Sequence, residues 1–417
     1  MTTNENNFHV YVGGKTGVFK GARLGFKECV LKNIQNLVTI TDDDQVTALG
    51  WGDEEENEVL IACGTKGNRS VKVYDAESAA FTSSFFCNIG TGSINGIARY
   101  DGAILTAVES GEVKLWRFKE EDEVLINAGP NLKRMRHSKI NKNIIATGGQ
   151  DHSLQLFDIE TQKRVFLEKN LPHDSLQLRV PVWISDIHFL PGTDQIATCG
   201  RYGHIRMYDP RFQKRPVIKL EMKGEALTTL STTPREMQIV VGSGTGKMNL
   251  IDLRKPGKIL NSYKGFTGAI TGIACTQEPY IISVSLDRFL RVHHLNTKEQ
   301  VKRVYLSSKA SCVLVKSDFS MQTDRENGEN LSTENSGLKN GDKSLHDEGS
   351  DGEYDSLFNK MQTIGNKPPH KKQLAQHKKQ VAEDSLTDTE VTDDKVRRKY
   401  RKLGHTSKKL KPSTGED

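Results

Sequence analysis

The chain has 417 residues, 36 of them glycine, with 59 Lys and Arg against 53 Asp and Glu and a net charge of +6. No apolar run approaches the roughly 20 residues that cross a bilayer, and the opening MTTNENN has neither the basic nor the apolar part of a secretion signal. Six cysteines (29, 63, 87, 199, 275 and 312) lie scattered without CxxC or Cys/His ligand spacing, which argues against zinc and for reduced thiols in a soluble protein.

In chain order, His9–Val12 already reads as a strand, and its unit ends near Arg23 after a glycine-rich turn. Val46–Trp51 follows as a strand with Val46 and Leu49 on one side. The pair recurs as Ile94 and Ile97, Leu132 and Met135, Ile184 and Ile187, Leu227 and Leu230, Ile270 and Ile273. Trp51 and Phe189 occupy matching positions of this frame and read as core. Each pair is followed by one phrase: a short apolar run, a turn rich in glycine or aspartate, then an alternating strand. The phrase is clearest at Ile144–Asp158 and returns at Val59–Asp75, Ala103–Arg117, Gln195–Asp209, Gln238–Asp252 and Tyr280–His294. With the worn copy at the start there are seven. Such a repeat, about 40–45 residues long and built from short strands, predicts an all-β, seven-bladed WD40-type β-propeller.

Blade one lacks its own first strand, and Ser311–Val315 can supply it. Closure by a strand from the far end of the chain removes two open edges and delimits a domain over 8–316. The acidic run Asp53–Glu56 reads as a solvated turn between two strands of blade two.

Two glycine-rich turns resemble phosphate loops, at Gly14-Lys15-Thr16 and Gly246-Lys247. Neither leads into a helix, as a phosphate cradle requires, so hairpin turns explain both. His293-His294 has no third ligand in view, and no nucleophile or metalloprotease motif stands out. We therefore expect no catalytic residue, no metal and no cofactor. The expected function is binding.

Residues 1–316 hold 41 Lys and Arg against 34 Asp and Glu. If gathered on one ring face, these cations would attract phosphates; the alternative is scatter over both faces. The sharpest candidates are Arg179 and Trp183 in Leu178-Arg-Val-Pro-Val-Trp183, a loop segment after an insertion. Tryptophan beside arginine suits partner contact, and packing explains it equally well. Arg134, Arg136 and Arg288 are weaker candidates for the same partner- or RNA-binding role.

Beyond Lys316 large apolar groups become sparse, and residues 317–417 read as a disordered tail with charge in blocks. Leu357, Phe358, Met361 and Ile364 fall at helical spacing, forming either a docking element or a chance cluster. Lys395, Arg397, Arg398, Lys399, Arg401 and Lys402, followed by Lys408, Lys409 and Lys411, make a two-cluster basic segment of the kind read by import receptors.

Several phrases together resemble one family. These are Val10–Gly13 with Thr16–Gly21, Arg134-Met-Arg136, Ala146–Gly149, Leu178–Trp183 followed by Phe189–Gly192, Tyr208-Asp-Pro210, Leu286–Arg291 and Val304–Leu306. The chain looks like the nucleolar WD-repeat assembly factors of the large ribosomal subunit, the group of the yeast Nsa-type proteins and their animal relatives. The likeness covers residues 8 to about 316 and a short stretch at Asp355–Met361. It departs from the general WD pattern: the Gly-His dipeptide is missing, the Trp-Asp ending is degenerate, and only Asp151 and Asp287 hold the hairpin acid. The resemblance implies a monomeric, non-enzymatic ring scaffold in the nucleus and nucleolus. It would sit on large-subunit precursor particles, beside ribosomal RNA, ribosomal proteins and assembly factors, and be removed by an AAA-type ATPase. A WD40 substrate-receptor or chromatin-complex adaptor is the alternative.

Overall fold

The computed structural model describes residues 8–321 apart from 27, 42, 66, 118–123, 174–175, 255–257 and 278. The basic segment 395–411 and the Leu357–Ile364 cluster lie outside the described residues. Seven four-stranded antiparallel sheets stand in a ring as the blades of a propeller. Blade two runs Val46–Trp51, Glu58–Cys63, Ser70–Asp75 and Ala80–Phe86, from the axis outward, and blades three to seven repeat that order. Blade one is composite. Its innermost strand, Ala310–Val315, pairs antiparallel with Val10–Gly14, matching Tyr11 with Leu314. Neighbouring inner strands touch all the way round, so the ring is closed.

Seven buried clusters hold it together, each at the junction of two adjacent blades. Successive side chains of a strand point to opposite faces, so both faces of each second strand are buried. In blade seven, Ile281 packs toward blade six and Ile282 toward blade one. This is why these strands read as continuous apolar runs rather than alternations. The recurring pairs, from Val46 and Leu49 to Ile270 and Ile273, are all buried in these junctions. Trp51 and Phe189 pack against them. Beyond Val315 the chain stays packed, with Phe319 and Met321 buried between blades seven and one.

Every inner strand carries a bulge. In blade two Val46 pairs with Cys63 and Ala48 with Ala62, leaving Thr47 unpaired. Asn95, Lys133, Ser185, Thr228, Thr271 and Ser311 are the corresponding extra residues. Several reach the next blade: Thr228 Oγ1 donates to Ile270 O at 2.6 Å, and Thr271 Oγ1 to Ala310 O at 3.0 Å. The residue after each bulge faces the axis. Those seven residues are Ala48, Gly96, Arg134, Asp186, Thr229, Gly272 and Cys312, and together they line one cavity.

The turn between second and third strands meets the connection leading into its own blade. Gly244 N donates to Ala226 O at 2.8 Å and Leu286 N to Ala269 O at 2.9 Å. Both kinds of loop therefore share one side of the ring, the upper face. The two turns that resemble phosphate loops are hairpins on this face, closed by Gly14 N to Val18 O at 2.8 Å and Ser243 N to Lys247 O at 2.9 Å.

Candidate functional site

The longest described connection on the upper face is the insertion leading into blade five, and a buried ion pair roots it. Arg206 Nη1 donates to Glu168 Oε1 at 2.7 Å, with both side chains out of solvent. The other Glu168 oxygen accepts from Leu154 N at 3.1 Å, tying blade four to blade five. Asn170 Nδ2 then donates to Val180 O at 2.7 Å and clamps the loop onto itself. Val182 is buried, and its carbonyl accepts from Asp151 N at 2.9 Å.

Anchored at both ends, the loop holds its middle outward. Leu176 is 74% exposed and Leu178 59%, and Arg179 is exposed beside them. Trp183 bridges Gln150 and is half-buried. The guanidinium over its indole is not that of Arg179 but of Arg201, 4.8 Å from the ring centre. Arg201 N also donates to Trp183 O at 3.0 Å. Tyr202 meets the indole edge-on at 6.3 Å and is 47% exposed. Gly203 closes this turn at φ +80°, and a Cβ there would lie 2.2 Å from Met222 O, so no other residue fits. The half-buried Trp183 with the exposed Arg201 and Tyr202, preceded in the same loop by the exposed Arg179, supplies the residue types of interface anchors and of stacking platforms for bases.

Arg134 and Arg136 do not join this patch. They lie on the inner strand of blade four and turn to the axis, where both meet Asp186 Oδ1 at 3.1 Å. Arg136 Nε also donates to Ile187 O at 3.2 Å. Thr229 Oγ1 and Leu230 N donate to Asp186 Oδ2 at 3.1 and 3.2 Å, so one carboxylate spans blades four, five and six. Burial alone would raise the Asp186 pKa. The two guanidiniums outweigh it and hold the carboxyl well below the usual range. The same burial lowers His188 to about 3, leaving it neutral.

Arg288 is exposed in the upper-face turn of blade seven, at φ +68°, two blades away from Trp183. Its neighbours serve the fold. Arg291 is buried against Asp287 at 2.7 Å and lies 4.9 Å from the Phe266 ring centre. The Arg201–Tyr202 contribution lay within a repeat phrase; only the pairing of turn with incoming connection assigns it to the loop.

No protein-family profile matches the chain. It is 35% identical over 316 residues to human WD repeat-containing protein 74, covering 74% of this chain and 80% of the human protein. Identity to the mouse protein of that name is 34% over 316 residues, covering 81% of it. To the ribosome biogenesis protein NSA1 of Meyerozyma guilliermondii it is 27% over 262 residues, covering 53% of this chain and 66% of that protein.

Proposed function

Because this chain belongs to the WD repeat-containing protein 74 family, whose yeast NSA1 relatives are by name ribosome biogenesis proteins, we propose that it is a ribosome biogenesis factor without catalytic activity of its own. In this reading it is a monomeric ring that acts in the nucleolus. It binds large-subunit precursor particles through their RNA and proteins, and an AAA-type ATPase releases it.

One observation carries the binding role: the exposed Leu178, Arg179, Arg201 and Tyr202 with the half-buried Trp183, held by a loop rooted at both ends. A rigid support under an aromatic and cationic surface limits the entropy lost when a partner docks. The net positive charge of the ring, counted over residues 1–316, favours a polyanionic neighbour. Depletion of the protein followed by sucrose-gradient profiling tests the assignment. We expect fewer free large subunits and accumulation of their precursor RNA. An unchanged subunit ratio would refute it.

A further inference from the structure

Besides the upper-face patch, the described residues line a polar cavity on the ring axis, into which solvent reaches, because Arg134 and Arg136 are 22% and 35% exposed. It measures about 50 Å³ and is lined by the residue after the bulge in every inner strand. Five of those seven positions carry Ala, Gly, Thr or Cys, which leaves the axis open. Blade four projects two arginines into the space. A single water needs roughly 10–15 Å³ of such volume, so the cavity has room for several waters or one compact ion.

Its hydrogen bonding does not close. Asp186 receives aligned donors from Arg136 Nη2, Ile187 N, Thr229 Oγ1 and Leu230 N. That fills the roughly four acceptor sites of a carboxylate. Arg134 Nε lies 3.1 Å from Asp186 Oδ1 yet is buried without an aligned acceptor. Among the described residues its two Nη atoms have no hydrogen bond either. Charge is also uncompensated. Two guanidiniums face one carboxylate, His188 is neutral, and burial raises the Cys312 thiol to about 11. A net positive charge with unused planar donors, set between Ala48, Gly96, Ile97 and Ile273, favours an anion in this space.

We propose that the axial cavity is an oxyanion site, in which Arg134 and the free edge of Arg136 bind a phosphate-sized anion. A guanidinium offers paired donors matched to two oxygens of such an ion, which an ammonium or a hydroxyl does not. The bound ion would tie blade four to the opposite wall and stiffen the ring from within.

The test uses the full chain with labelled isoleucine methyl groups, titrated with inorganic phosphate against sodium chloride of equal ionic strength. Ile97 and Ile273 line the cavity, whereas Ile251 is buried in the junction of blades five and six. Saturable shifts of the first two methyls, with Ile251 still, support the site. In Arg134→Met the apparent affinity should fall at least about tenfold while the rest of the methyl spectrum stays native. If that variant does not fold, the wild-type pattern alone decides. No methyl movement up to about 10 mM phosphate would overturn the proposal. So would equal shifts from the sodium chloride control, which would report ionic strength alone.

Discussion

Ser311 Oγ donates to the carbonyl of Val46 at 2.6 Å, joining residues 265 positions apart. The same hydroxyl reaches Gly13 O at 3.0 Å. One small side chain therefore ties together the last strand, the first strand and the start of blade two. Truncation after Lys309 removes this strand and should abolish cooperative unfolding, whereas truncation after Asp324 keeps it, along with Phe319 and Met321. Ser311→Ala alone should cost about 1–2 kcal/mol, read from urea denaturation. Equal melts for the two truncations would refute closure by this strand.

The Glu168–Arg206 pair makes a second prediction. Removing one partner leaves the other charged and buried, so Arg206→Met should cost about 3–5 kcal/mol. The pair also roots the insertion, so limited proteolysis within residues 171–180 should accelerate. Glu168→Gln combined with Arg206→Met should be less harmful than the sum of the single changes. Strict additivity in the double-mutant cycle would show that the pair is not coupled.

The upper-face patch predicts loss of particle binding without loss of fold. Arg179→Glu with Trp183→Ala should shift the protein from precursor fractions to the top of a gradient. Arg201→Ala should weaken binding by removing the cation over the indole, a contact worth about 0.5–2 kcal/mol. Full co-migration of a folded triple variant would make the loop purely structural.

Stability should fall as the medium is acidified below neutrality. Burial holds His9, His137, His152, His188, His204 and His293 below the ordinary imidazole value of 6.5, His188 at about 3. Below 6.5 the unfolded chain binds protons that the folded ring resists, so stability is full above that value and declines toward pH 3. Urea midpoints between pH 7 and 4.5 should therefore drop steadily. His188→Gln should flatten the slope, and a slope unchanged by that substitution would remove His188 from the account.

The basic segment Lys395–Lys411 gives the fifth prediction. Its deletion should retain the protein in the cytoplasm while leaving the thermal melt of the ring unchanged. Undisturbed nuclear accumulation would reject it as the import signal.

Blade number, the inner-strand apolar pairs and the borrowed strand at Ser311–Val315 were all legible in the sequence. Each depends on local pattern: burial on both faces of a strand demands continuous apolar runs, and a glycine-rich turn demands its own residues. Leu178–Trp183 was legible as a loop for the same reason. Its partners were not. Arg201 stands eighteen positions beyond Trp183, and Arg134 and Arg136 stand some fifty before Asp186; no local signal separates these arginines from solvated ones. The bulge that turns the following residue toward the axis was equally hidden, because an extra residue in a strand leaves the apolar spacing readable either way. Pairing of the first two strands of blade five decides which arginine stacks on the tryptophan, and closure of the ring decides which two meet one carboxylate. The contacts at the carboxylate depend on how blades rotate against one another, a quantity that the packing of seven junctions sets jointly and no single repeat encodes.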